Sequence, residues 1–196
     1  MQMIGKNACF STATVIFRDP THKPMIHKIL MLAMAASLIQ SCRGKMTMEE
    51  LARHPDAYIR VTAQPGFPYR YSLMEEGVIQ HVDRPYTYDV IPDRLKGGLL
   101  FQGIHRLPLG TCLEIALEQP LWIYFFFHRV EDGGFGKIFS SLEGWERCPE
   151  APRYDIHNGD HGHHMVMYRM KAGRGTVVIP CSTKERACFS MVFLPV

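Results

Sequence analysis

The chain has 196 residues, 46% of them hydrophobic, and carries 22 Lys+Arg against 19 Asp+Glu. Its small basic excess sits in residues 1–42, where Lys6, Arg18, Lys23 and Lys28 outnumber Asp19, so residues 43–196 balance at 18 against 18. A neutral remainder without Lys/Arg blocks lacks the electrostatic footprint of a nucleic-acid binder, and its length fits one domain with one core.

In residues 25–42, Lys28 precedes an uncharged apolar run over 29–39. That run has the ~7–15-residue length of a secretory h-region and falls short of the ~20 residues that span a bilayer. Residues 1–42 are therefore expected to be a leader, with 25–42 the signal peptide and 1–24 an extension ahead of a start at Met25. The alternative start, Met1, would make the acid-free residues 1–18 an organelle presequence. The end of the apolar run resembles a bacterial lipobox, with Ile39, Ser41 and Cys42 in place and Gln40 departing from the motif. Cys42 is the expected lipid attachment, against ordinary signal cleavage or an N-terminal helix retained in the fold. The expectation is an exported protein, in the bacterial cell envelope or secreted, touching membrane only through such an anchor.

Residues 43–57 read as a linker with a short helix, in which Thr47 is a possible N-cap and Glu50 holds the capping-box position. The domain proper is expected over 58–196. Candidate strands lie at 58–63, 68–73, 78–82, 86–91, 99–103, 111–117, 121–128, 165–170, 176–179 and 189–194. Pro and Gly punctuate them at Gln64-Pro-Gly66, Glu76-Gly77, Lys96-Gly-Gly98, Pro108-Leu-Gly110, Glu118-Gln-Pro120 and Ala172-Gly173. Short strands at this spacing predict an all-β antiparallel sandwich or barrel. Segments 58–63 and 112–117 alternate and should each keep one face in the core. Segment 121–128 is apolar on both faces, with Leu121, Ile123, Phe125 and Phe127 on one and Trp122, Tyr124, Phe126 and His128 on the other. It should be a central strand with core on one side and something else on the other.

Four cysteines follow the leader, Cys112, Cys148, Cys181 and Cys188, an even number that permits two bridges in three connectivities. Cys181 and Cys188 are the preferred pair, because a hairpin between the last two strands would bring them opposite each other; two buried thiols are the alternative. The absence of C-x-x-C from the sequence argues against a zinc ribbon or a thioredoxin-like site.

The order Gly77, Asp83-Arg84, Tyr86, Pro92, Leu95, Gly97, then a strand after Gln119-Pro120, Gly144-Trp145, Tyr168, Ala172-Gly173, Val177, Pro180 and Met191 resembles a galactose-binding-like β-sandwich domain. Such domains are accessory modules of large secreted bacterial proteins. The resemblance covers roughly residue 74 to the C-terminus. It implies a jelly-roll sandwich that binds a glycan or another protein, or packs beside a catalytic partner, without catalysis or cofactor of its own. Asp83, Arg84, Tyr86, Trp145 and Tyr168 match structural positions, while bulky Trp122 and Phe126 depart from the pattern.

The segment 155–164 holds four of the ten histidines. His157, Asp160, His161 and His163 are candidate ligands for Zn²⁺, Cu²⁺ or Ni²⁺, with Gly159 and Gly162 letting the chain wrap round an ion. Their spacing matches no established site, and a solvated loop is the alternative. No G-x-S-x-G elbow occurs, and Ser140-Ser-Leu-Glu-Gly144 lacks the glycine ahead of the serine. Gly133-Gly-Phe-Gly136 precedes no convincing helix, which argues against a phosphate loop. Glu49/Glu50, Glu75/Glu76 and Glu131/Asp132 read as solvated turns rather than a glycosidase pair.

Three functions compete. The first is a non-catalytic binding module for carbohydrate or cell-envelope glycan, with Trp122, Tyr124 and Phe126 exposed in a row about 6–7 Å apart to stack on sugars and His128 or Arg129 at its edge. The second is a structural or protein-interaction sandwich in which that row is covered by the N-terminal segment or a partner such as an envelope protein. The third is a small metalloprotein or metal-dependent hydrolase centred on the histidine loop.

Overall fold

A computed structural model describes residues 45–63, 66–128, 134–157, 161–185 and 187–196. The expected leader with Cys42, and also Arg129, the Glu131/Asp132 pair, Gly159 and Asp160, lie outside the described residues. Two short helices open the domain, α1 (Met48–Arg53) and α2 (Pro55–Tyr58). Thr47 caps α1 by accepting the Glu50 N–H at 3.1 Å on Oγ1, which satisfies one of the donors a helix start leaves open. Leu51 is fully buried in the core, so this short helix packs against the sandwich.

The strands then run β1 (Ile59–Thr62), β2 (Arg70–Leu73), β3 (Ile79–His81), β4 (Arg84–Val90), β5 (Leu99–Gln102), β6 (Leu113–Leu117) and β7 (Leu121–Phe127). After helix α3 (Phe135–Ser141) come β8 (Glu146–Arg147), β9 (Arg153–Asp155), β10 (His163–His164), β11 (Val166–Ala172), β12 (Gly175–Ile179) and β13 (Phe189–Pro195). All pairings are antiparallel: β2-β5-β13-β7-β11-β8 form a six-stranded sheet, β1-β6-β12 a three-stranded one and β10-β9-β4-β3 a four-stranded one. The antiparallel β-sandwich expected from the sequence is what the structure shows. Helix α3 was not expected; Phe135 and Phe139, spaced to share one helix face, insert into the core and hold it.

Strand β7 organises the packing. Its Leu121, Ile123, Phe125 and Phe127 join Ile59, Leu113, Ile115, Leu117 and Ile179 of the three-stranded sheet in one apolar cluster. Its other face, Trp122, Tyr124 and Phe126, joins Tyr88 of β4 and Tyr154 of β9 in a second. The six-stranded sheet thus has core on both sides, which is why β7 reads as apolar without alternation.

The disulfide is Cys112–Cys181, across 69 residues, and the expected Cys181–Cys188 pair does not form. The reason is topological: β12 pairs with β6, whereas β13 pairs with β5 and β7 in another sheet, so no hairpin joins them. The Leu113–Ile179 register instead brings Cys112 beside Cys181, with Cα atoms 4.2 Å apart. Cys148 and Cys188 are buried thiols. No helix among the described residues is long and apolar enough to cross a membrane.

Candidate functional site

The expected aromatic platform is not a surface. Phe126 is 0% exposed and Tyr124 is buried. Tyr88 meets the Phe126 ring edge-on at 5.8 Å. Trp122 is partly buried, with the Arg169 guanidinium 5.3 Å from its ring. Among the described residues, the cover is the chain's own four-stranded sheet, through Tyr88 and Tyr154, as an apolar second face on a central strand demands burial. His128 is buried as well, stacked on Tyr154 with centroids 3.9 Å apart.

The histidine loop divides. Asp155 accepts the His157 backbone N–H at 2.9 Å on one oxygen and faces His161 Nδ1 at 2.5 Å with the other. These contacts, the backbone one foremost, hold its carboxyl below the usual range. His157 Nε2 meets Thr87 Oγ1 at 2.9 Å. His163 instead stacks on Tyr154 with centroids 5.0 Å apart. Asp155 Oδ2 thus has the Nδ1 atoms of both His157, at 3.9 Å, and His161 beside it, while His163 lies against Tyr154.

A cleft of about 450 Å³ opens where β8 and the segment after it meet β9, β10, the start of β11 and the end of β4. Arg147, Arg153 and His164 line it beside apolar Val90, Pro149 and Met165. The Arg153 Nε is buried without a protein partner. Glu150, also in the wall, is engaged by Arg94 Nη2 at 2.7 Å. Arg94 thus engages the Glu150 carboxylate, and the Arg153 Nε is left without an acceptor within the protein.

A second polar cluster lies inside the sandwich. His81, His128 and Cys188 are 1%, 7% and 3% exposed. They present one ligand atom each within 4.8 Å of one another. Register explains the meeting: Phe127 pairs with Phe189, so one step further His128 faces Cys188. His81 ends β3, and His105 stands 5.2 Å from its ring. Burial, then the neighbouring His105, pushes the His81 imidazole down to about 3. Sequence reasoning missed both sites; the available signal was His128 on the enclosed face of β7.

No protein-family model and no curated protein matches the sequence. The fold is similar to a β-glucuronidase from glycoside hydrolase family 2, with TM-score 0.50 and 11% identity, covering 69% of this chain and 14% of that one. A GH138 enzyme targeting pectin rhamnogalacturonan II gives TM-score 0.44 and 13% identity over 68% of this chain and 16% of its own. The chain matches only a small part of either enzyme's length. What is shared with the first is the antiparallel β-sandwich.

Proposed function

We propose that this protein is an exported, non-catalytic sandwich module that binds acidic carbohydrate in the Arg147–Arg153 cleft. Arg147 and Arg153 in the cleft wall carry the reading, because a guanidinium lining a cavity can take a carboxylate through paired hydrogen bonds, and the Arg153 Nε has no acceptor within the protein. The cleft's about 450 Å³ lies within the ~300–1,000 Å³ of small-molecule sites, and its Pro and Met walls suit the apolar face of a pyranose. Support also comes from the galactose-binding-like motif order and from a sandwich fold shared with part of a β-glucuronidase. The Cys112–Cys181 disulfide suits an oxidising, exported setting.

The test is calorimetry of the full chain with uronic-acid oligosaccharides, their neutral methyl esters, and the same acids against Arg153→Gln and Arg147→Gln. The acids should bind and the esters should not, and Arg153→Gln should weaken binding about tenfold or more while the protein still melts cooperatively, since a charged hydrogen bond is worth ~1.5–3 kcal/mol. Equal binding of ester and acid, or no binding by the parent, removes the proposal.

A further inference from the structure

We infer that His81, His128 and Cys188 form a buried site for a transition metal, zinc or copper, independent of the carbohydrate cleft. Three separated strands deliver the residues: β3 ends in His81, β7 runs into His128, and Cys188 leads into β13. Their ligand atoms already lie within 4.8 Å of one another. Bonds of ~2.0–2.3 Å to one tetrahedral ion would draw them to about 3.3–3.6 Å, a change within reach of small side-chain rotations.

Two further observations point to a ligand. His81 is 1% exposed, and beyond a contact with the Gly103 backbone neither ring nitrogen meets a hydrogen-bond partner. Such a ring is costly in an apolar enclosure unless something accepts its lone pair. His128 is oriented as a ligand histidine is. The buried Gln80 amide donates through Nε2 to Met165 Sδ at 3.5 Å, which turns its Oε1 towards His128 Nε2 at 2.6 Å. His128 therefore donates from Nε2 to the Gln80 carbonyl, a contact of the kind that fixes the tautomer of metal-bound imidazoles.

The donor types select the ion. Two imidazoles and a sulfur favour zinc or copper and disfavour magnesium or calcium, which prefer all-oxygen shells. Binding releases the Cys188 thiol proton to solvent, so the cation meets a thiolate and two neutral rings. His105, 5.2 Å from His81 and 5.7 Å from His128 between ring centroids, is the neighbouring imidazole for a fourth position.

The experiment takes the full chain without a polyhistidine tag, unfolds it with EDTA, and refolds it with Co²⁺ after the chelator is removed. Thiolate ligation then appears as an intense near-ultraviolet charge-transfer band, which the cysteine-free loop 155–164 cannot produce. The expected result is one such Co²⁺ per chain, displaced by Zn²⁺ and raising the melting temperature. Cys188→Ser should abolish the band, His81→Gln should weaken affinity beyond the ~10–100-fold typical of losing an outer-shell partner, and His157→Gln/His161→Gln should leave both unchanged. Absence of the band in the parent, or its persistence in Cys188→Ser, overturns the site. Should Cys188→Ser fail to fold, His81→Gln decides: unchanged Co²⁺ affinity overturns the inference, and lost affinity supports it.

Discussion

His81 limits the acid stability of the metal-free protein. Its folded value, about 3, is set first by burial and then by His105, against weaker pulls from Asp83 and the Gly103 carbonyl. Unfolding returns the ring to its ordinary 6.5. Between those values the unfolded chain binds a proton that the folded chain does not, so this contribution is complete above pH 6.5 and is lost as pH falls towards 3. One proton corresponds to a slope of up to about 1.4 kcal/mol per pH unit. Urea unfolding of EDTA-treated protein should show stability falling from pH 6.5 to 4, and His81→Gln should flatten that slope; identical slopes would refute it. None of this was legible residue by residue. His81, His128 and Cys188 form no motif, because strand register rather than sequence spacing brings them together, whereas the conspicuous run at 155–164 spends Asp155 on its own backbone.

At the scale of elements, β7 was the most legible segment, and its burial makes a sharp distinction. Phe126 has no exposed surface and packs against Tyr88, so Phe126→Ala should cost about 3–5 kcal/mol by denaturant unfolding. Trp122→Ala should cost less, because that ring is only partly buried and partly covered by Arg169. Equal, small losses would mean that the face is open. Gly98 makes a complementary prediction: a Cβ there would lie 2.5 Å from Val192 Cγ1 in the six-stranded sheet, so Gly98→Ala should destabilise by about 1–3 kcal/mol through overpacking. The nine strands of four or more residues were readable because turn signals rich in Pro and Gly punctuate the chain between them, and three-residue β3 follows such a signal at Glu76-Gly77. The cover over Trp122 and Phe126 was not: β9 and β10 are three and two residues long, too short to show a period. Helix α3 hid behind Gly133 and Gly134, which read as loop, although Phe135 and Phe139 carry the helical spacing.

At the scale of the whole molecule, the Cys112–Cys181 bridge joins the start of β6 to the end of β12 at one end of their ladder and closes a loop spanning 69 residues of separation. The sequence permitted this connectivity, but the choice depended on which sheet β12 joins, and adjacency in the chain favoured a hairpin with β13 that the fold does not make. The difference is energetic as well as topological. In the chain-entropy model, a loop of this length stabilises by about 4 kcal/mol, against about 2.5 kcal/mol for the short loop a Cys181–Cys188 bridge would close. Most single domains have only ~5–15 kcal/mol in total, so Cys112→Ser/Cys181→Ser should lower the denaturation midpoint sharply while leaving the far-ultraviolet spectrum of an antiparallel β protein. Alkylation of the unreduced, denatured chain followed by peptide mass spectrometry should find Cys148 and Cys188 modified and Cys112 joined to Cys181. A Cys181–Cys188 peptide would instead place β12 beside β13 and remove the register that sets Cys188 opposite His128, so the same spectrum tests both the sheet order and the buried site that depends on it.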